Sequence, residues 1–307
     1  MPDSQSKPVQ VDGRTLRLSH LDKVLWPDTG WTKGQALDYY ARVAGTMVPH
    51  LAARPASFVR FPEGLDGERF YAKNPPPGLP GWVRRVDVPS RSDEGGSGRP
   101  YVAIDDRASL IAMAQLYALE VHVPQWTAET GPDRHDRLVV DLDPGEGRNL
   151  VDCCAVALLV RERLAEDGLE CWAKTSGGKG LHLYVPLRAA ASPAEPVTEY
   201  ARRVAAGLAD EHPNLIVHRM TRSLRADRVF IDWSQNNSAK TTAAPYTLRA
   251  RGGPSVSTPV DWEEVAGCVS PEDLAFTPDQ VLDRIFDRGD LLAPLLDPER
   301  AADPPVD

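Results

Sequence analysis

Apolar and polar positions along this chain switch between two periods. After Thr32, the residues Leu37, Tyr40, Val43, Ala44, Met47 and Leu51 recur at three- and four-residue steps, the spacing of an amphipathic helix. Thr32-Lys33-Gly34-Gln35 sets a hydroxyl at the N-cap and an amide three residues on, which predicts a capping box and a helix to about Leu51. A strand is predicted near 57–61. Asp106 is placed to cap a helix over about 107–119, which leads into Glu120-Val121-His122-Val123-Pro124-Gln125-Trp126.

A β-α-β unit follows. Its strand is 137–143, its helix about 150–166 with a stop at Gly168, and its second strand 169–174. The loop Ser176-Gly177-Gly178-Lys179-Gly180 then leads to a strand at 181–187. Ser192-Pro193-Ala194-Glu195 predicts an N-cap at Ser192, proline at the first helical position and a helix to about His212. A further strand is expected at 229–234. Thr277-Pro278-Asp279-Gln280 caps a late helix ending at Gly289. Residues 1–14 and 297–307 are expected to be flexible, and the Ser-, Gly- and charge-rich stretch 90–100 to be a mobile loop. No internal repeat is present. Interleaved strands and helices indicate a mixed α/β (α+β) class.

Composition narrows this further. With 307 residues, 42% hydrophobic and 26% charged, the chain can build one large domain or two modest ones. The start lacks the apolar core of a signal peptide, and no apolar run approaches membrane-spanning length. Cys153, Cys154, Cys171 and Cys268 have no Cys-x-x-Cys spacing, which fits a reduced, cytoplasmic protein without structural zinc. The net charge of −9 argues mildly against a nonspecific nucleic-acid coat, although Arg219, Arg222, Arg225 and Arg228 form a basic cluster.

The candidate chemistry starts at Val139-Val140-Asp141-Leu142-Asp143-Pro144-Gly145. In a strand, Asp141 and Asp143 project from one face, and two carboxylates so close call for a cation or a shared proton. Hard divalent ions suit such oxygen ligands; a solvated turn is the plainer alternative. The glycine loop offers backbone N–H groups, the Ser176 hydroxyl and the Lys179 charge to an anion, although a simple hairpin is also consistent. His182 shares a face with Tyr184. Asp232, inside the apolar run 229–233, needs a cation or a strong donor: a shared metal, or an arginine nearby.

Taken together, these residues resemble the polymerase domain of bacterial DNA ligase D, in the archaeo-eukaryotic primase superfamily. The matching blocks are Asp22 through Pro27, Glu120 through Trp126, Asp141 through Gly147, Thr175 through Tyr184, Ser223-Leu224-Arg225, and Asp232 through Arg249. They span about 15–295. The resemblance implies a single primase-polymerase catalytic domain over 15–296. An N-terminal α/β module, about 15–130, would pack on a module of about 131–296 resembling an RNA-recognition motif. Asp141, Asp143 and Asp232 would hold Mn²⁺ or Mg²⁺, in a two-metal site. Ser176, Lys179, Gly180 and His182 would cradle the triphosphate, with Lys240 and Arg249 as further phosphate or substrate contacts. His122 and Gln235 would lie near the nucleotide and its sugar. Lys23 and Lys33 would grip a 5′-phosphate beside the free N–H groups of a helix N-terminus. Phe70 and Tyr71 would stack on the template, Tyr71 standing where the family usually has phenylalanine. Arg222 and Arg225 would meet DNA.

The implied activity is template-directed nucleotidyl transfer. It would fill gaps and extend ends, with ribonucleotides preferred, in nonhomologous end joining of double-strand breaks. A de novo primase and a noncatalytic DNA-end-binding scaffold are the alternatives. The implied partners are DNA with gaps, nicks or breaks, NTPs or dNTPs, a Ku-like end-binding protein and a separate ATP-dependent ligase, with no membrane. The resemblance further implies a bacterial, nucleoid-associated setting in the cytoplasm. The sequence contains no ligase or nuclease segment, as expected of a standalone form or an excised domain.

Overall fold

The three- and four-residue apolar spacing after Thr32 becomes α1 (Lys33–Leu51), whose inner face is buried throughout. Thr32 and Gln35 form the expected capping box, with Gln35 Oε1 accepting from the Thr32 N–H at 2.8 Å. Residues 6–89 and 98–305 are described in this computed structural model. Before α1 lie β1 (Lys7–Val11), β2 (Arg14–Leu18), β3 (Val24–Trp26) and β4 (Trp31–Thr32). After it come β5 (Ser57–Arg60), β6 (Phe70–Ala72), β7 (Arg85–Val88), β8 (Arg99–Val102), α2 (Arg107–Gln115) and β9 (Ala118–Val123). Asp106 caps α2 through the Ser109 N–H at 2.6 Å. The helix stops earlier than the periodicity suggested, because Tyr117 takes a left-handed φ of 65° and turns the chain into β9.

The second half is built on β10 (Arg137–Pro144), α3 (Leu150–Glu166), β11 (Trp172–Thr175), β12 (Leu181–Pro186), α4 (Ala194–Glu211), β13 (Ile216–Val217) and β14 (Val229–Asp232). Then come β15 (Thr242–Ala243), β16 (Leu248–Ala250), β17 (Pro254–Val256), β18 (Pro259–Val260), α5 (Trp262–Gly267) and α6 (Pro278–Arg288). The six-stranded sheet has the order β13-β14-β10-β12-β11-β18. β12 lies between β10 and β11 and is antiparallel to both. The β-α-β unit is therefore split: its two strands run parallel but are not neighbours. Leu138, Val140 and Leu142 of β10 join the apolar core that α3 and α4 build against this sheet. Strand alternation sends Val139, Asp141 and Asp143 to the opposite face.

A second core unites β1–β5, β8, β9, α1 and α2 with Ala244, Tyr246, Leu248, Val256 and Val281. The chain thus returns to the first module after β14, because β15 pairs with β9 (Thr242 with Val123, Ala243 with His122). The modules are not the contiguous halves implied by a division near residue 130.

Three local readings are corrected. Residues 7–11 are not flexible, since β1 pairs with β2 along its length. The segment after 296 is docked: the Ala302 N–H donates to Pro186 O at 3.0 Å, Ala302 O accepts from the Arg188 N–H at 2.9 Å, and Arg188 pairs with Asp303. Pro193, not Ser192, sits at the α4 N-cap, and the Ser192 hydroxyl instead donates to Arg188 O at 2.9 Å. Of the loop expected at 90–100, residues 90–97 lie outside the described residues, while Arg99 and Pro100 belong to β8. The late helix matches its reading, capped at Thr277 with Pro278 in its first turn.

Candidate active site

Register brings four buried polar residues into one row across the face of the six-stranded sheet turned away from α3 and α4. Lys174 of β11 pairs with His182 of β12, His182 with Asp141 of β10, and Asp141 with Asp232 of β14. Asp143 stands two residues beyond Asp141 on the same face. His182 Nε2 is 3.2 Å from Asp141 Oδ1. Burial, followed by the Asp232 charge, raises the Asp141 carboxyl to about 7. Asp143 reaches the solvent-facing rim, yet the protein crowded around it, with Asp141 and Asp232, also raises its carboxyl to about 7. Asp232 is already supported: Oδ1 accepts from the Ser234 N–H at 3.1 Å and hydroxyl at 2.5 Å, and Oδ2 from Gln235 Nε2 at 3.0 Å. Lys240 Nζ lies 3.3 Å from Ser234 Oγ.

Among the described residues, no three His, Cys, Asp or Glu side chains converge into a ready-made metal cage. Asp141 and Asp143 nevertheless fit a hard divalent ion. They are oxygen donors on one face, and their crowded negative charge lacks a full counter-charge.

The glycine loop is held from within. Ser176 Oγ accepts the Gly178 and Gly180 N–H groups, each at 3.2 Å. Both lone pairs are thereby occupied, and the hydroxyl hydrogen remains to donate. Lys179 is exposed at the tip. Gly180 is needed for close packing: a Cβ there would lie 2.0 Å from Leu142 O of β10. Gly177 has φ +68°, and its Cβ would meet Arg249 Cγ at 2.4 Å. Arg249 Nη1 donates to Ser176 O at 2.9 Å, which ties the loop to the opposite wall.

That wall comes from the first module. Glu120 Oε2 accepts from His122 Nε2 at 3.0 Å and lies 3.3 Å from Arg249 Nε, and its Oε1 accepts the Ala250 N–H at 3.0 Å. Burial opposes ionisation of Glu120, but the His122 hydrogen bond and the Arg249 charge outweigh it and hold the carboxyl at about 2. Tyr71 OH shares a hydrogen bond of 2.9 Å with Thr241 Oγ1, and its ring centre is 6.4 Å from that of His122. Phe70 is exposed on the opposite face of β6, so the two aromatics do not form one stacked pair.

Lys23 and Lys33 meet over Tyr117, with Nζ atoms 5.3 and 4.2 Å from its ring centre. Lys33 Nζ donates to Ser19 O at 2.9 Å, and Lys23 Nζ to Pro62 O at 2.6 Å. Burial, with help from the Lys23 charge, lowers the Lys33 ammonium to about 8. The expectation of free N–H groups at this helix start is corrected. The Lys33 and Gly34 N–H groups donate to Lys23 O and Leu21 O, each at 2.8 Å, and that of Gln35 to Thr32 Oγ1 at 3.3 Å. Arg225 packs its guanidinium 3.6 Å from the Phe230 ring centre and donates to Met220 O at 3.0 Å, whereas Arg222 is exposed. Sequence reading missed Lys174 and Glu120. The signal for Glu120 was its place two residues before His122, and that for Lys174 its place at the end of a strand.

A family model described as "LigD, primase-polymerase domain" matches residues 32–292. The multifunctional non-homologous end joining protein LigD of Mycolicibacterium smegmatis is 46% identical over 286 residues, covering 91% of this chain and 36% of that protein. The bifunctional LigD of Bacillus subtilis is 29% identical over 284 residues, 92% of this chain and 44% of that protein. The solved polymerase domain of Mycobacterium tuberculosis ligase D, in complex with DNA, superposes with a TM-score of 0.84 at 44% identity, covering 94% of this chain and 99% of that one. The chain spans between 36% and 44% of the length of these two curated relatives. Carboxylates on one sheet face, a basic glycine loop beside them and this fold define a nucleotidyltransferase of the primase-polymerase class. The chain belongs to the LigD primase-polymerase domain family.

Proposed function

We propose that this chain extends a primer on a template at gaps and broken ends during nonhomologous end joining, with ribonucleotides preferred. The observation that carries the reading is the pair Asp141 and Asp143, set beside the Asp232 strand and the basic glycine loop. Mn²⁺ or Mg²⁺, in a two-metal site held by Asp141, Asp143 and Asp232, would neutralise the triphosphate and activate the primer 3′-hydroxyl when bound. The Ser176 hydroxyl, Lys179, His182, Lys240 and Arg249 bind the phosphates, with Gly180 setting the loop's approach to β10. His122 and Gln235 face the sugar, and a polar partner for the 2′-hydroxyl there would be left unsatisfied by a deoxynucleotide. Tyr71 stacks on the template base beside His122, and Phe70 extends the same edge. Arg222 meets the DNA backbone.

Lys23 and Lys33 receive the 5′-phosphate on the downstream side of a gap. With the helix N–H groups already paired, the two side-chain charges carry this contact. The split βαββαβ arrangement of β10, α3, β11, β12, α4 and β14 is read as the module resembling an RNA-recognition motif. A Ku-like end-binding protein and an ATP-dependent ligase are the proposed partners, in the bacterial cytoplasm at the nucleoid. Among the described residues, no helix is long and apolar enough to cross a membrane. Gap filling that compares NTPs with dNTPs, in Mn²⁺ and Mg²⁺ separately, tests the reading. Ribonucleotides should be incorporated faster in direct competition, and equal or reversed preference would remove the sugar assignment.

A further inference from the structure

Next to Tyr71 lies a cleft of about 500 Å³ that the proposed chemistry does not use. Ser57 of β5, one of its lining residues, stands opposite His122 in the β5–β9 pairing. Val59, two residues on, stands opposite Tyr71, so Ser57 and Tyr71 project from one face of that sheet. Thr241 also lines the cleft, and its hydroxyl shares the 2.9 Å hydrogen bond with Tyr71 OH. The cleft therefore adjoins the place proposed for the templating base.

Its lining is chemically unfinished. Ser57 has no exposure, yet its Oγ has no hydrogen-bond partner among the described residues. A buried hydroxyl in that state is costly, and a polar edge of a ligand would relieve it. Lys73 and Arg99 are exposed at the rim, and neither has an ion-pair partner among the described residues. One acid, Asp133, stands against these two cations. The Trp126 ring is held in place by its Nε1–H, which donates to Ser238 O at 2.9 Å. Trp126, Tyr101 and several prolines supply the apolar walls. A simple anion would leave those walls unused, and an apolar ligand would leave Ser57 and the cations unpaired. A nucleotide of single-stranded DNA uses all three, with its base against the aromatic wall and its phosphates outside.

We propose that this cleft holds an unpaired nucleotide of the template strand beside the templating base. The base lies against Trp126 and Tyr101 with a polar edge on Ser57 Oγ, and the flanking phosphates meet Lys73 and Arg99. The choice of the template strand rests on the role proposed for Tyr71; the fit to a single-stranded nucleotide does not.

Anisotropy on labelled duplexes with a short 3′ overhang and a recessed 5′-phosphate tests this, without nucleotide or divalent ion. Overhang bases are removed one at a time, each leaving its phosphate. In the wild type, losing one base other than the templating base should weaken binding between about fivefold and a hundredfold. Ser57→Ala should weaken the intact duplex by about two- to tenfold and leave the duplex lacking that base unchanged. Its Tm should not fall, since the hydroxyl removed has no partner. Lys73→Ala and Arg99→Ala should weaken every duplex alike, and each should lower the salt slope by about one. Both residues are exposed, so these variants probe the cleft independently of Ser57. Wild-type affinity that no base removal changes would overturn the assignment. So would Ser57→Ala effects that add to base removal at every position, or Lys73→Ala and Arg99→Ala proteins with wild-type affinity and salt slope. A nucleoside monophosphate that competes as well as the overhang would assign the cleft to free nucleotides and overturn the strand. The expected coupling in a protein that adds no nucleotide would overturn the proposed function and leave the cleft standing. Normal gap filling without the coupling would do the reverse.

Discussion

Asp141 occupies the least comfortable position in the molecule for a carboxylate. It is buried, and Asp232 stands directly opposite on the next strand. Its carboxyl sits at about 7, against 3.8 for a free one. The folded chain therefore holds a proton that the unfolded chain has lost between those values. This contribution to stability is complete below about pH 3.8 and is lost as pH rises through about 7. Asp143 shifts the same way but is open to solvent, so its share is smaller. Asp141→Asn should accordingly raise Tm at pH 8 without divalent ions and leave it nearly unchanged at pH 4, as melting curves at the two pH values would show. Mn²⁺ should stabilise the wild type more than this variant. Asp141→Ala and Asp143→Ala should each abolish nucleotide addition while DNA affinity, measured by anisotropy, stays close to wild type. Near-normal extension in saturating Mn²⁺ would sink the metal assignment.

The elements around the site act through close approach and paired charge. The glycine loop reaches the carboxylate face because Gly180 lets β12 lie flush on β10. Gly180→Ala would force a methyl group into Leu142 O, at a cost of about 1–3 kcal/mol. Urea unfolding should show that loss, and nucleotide KM should rise with it. Lys179→Ala should raise KM with no change in unfolding, because Lys179 is exposed and supports no strand. At the start of α1, Lys23 and Lys33 should make the protein prefer gapped DNA with a 5′-phosphate over a 5′-hydroxyl end. Replacing both with Ala should erase most of that preference and flatten the salt dependence of binding, while extension on a simple primer–template is spared. Since the free protein's Lys33 titrates at about 8, the preference should weaken as pH rises past that value, which binding at pH 7 and pH 9 would test.

At the scale of the whole molecule, the site lies between two cores that the chain crosses repeatedly, with β18 and α5 in the second core and Val281 of α6 in the first. It leaves the first module after β9 and returns with β15, so His122 and Arg249 face Asp141 across the join. The C-terminal segment closes the far side. Its two backbone hydrogen bonds at Ala302 pair it with the chain at the end of β12, at Pro186 and Arg188, and each such bond is worth about 1 kcal/mol. Deleting residues 297–307 should lower Tm by a few degrees, whereas Asp303→Ala should leave it nearly unchanged, because the Arg188–Asp303 pair is exposed. Calorimetry on the two variants separates backbone docking from surface charge.

What the amino-acid sequence determined by itself was local. Thr32, Asp106 and Thr277 cap their helices because a cap needs only the three residues that follow it. Asp141 and Asp143 share a face because strand alternation has a period of two. The order of the motif blocks was enough to indicate the family. Tertiary structure decided whatever depends on register between distant segments. The Ala302 segment is ordered by a partner more than a hundred residues away that no local pattern reveals, whereas β1 pairs with its neighbour β2 across the two-residue turn Asp12-Gly13, a hairpin signal that the sequence already carried. Glu120 became the anchor of His122 and Arg249 only when residue 249 folded back beside residue 120. The row of Lys174, His182, Asp141 and Asp232 comes from four strands, and its spacing is fixed by interstrand hydrogen bonds. A one-residue slip in any of those pairings would send its side chain to the other face of the sheet.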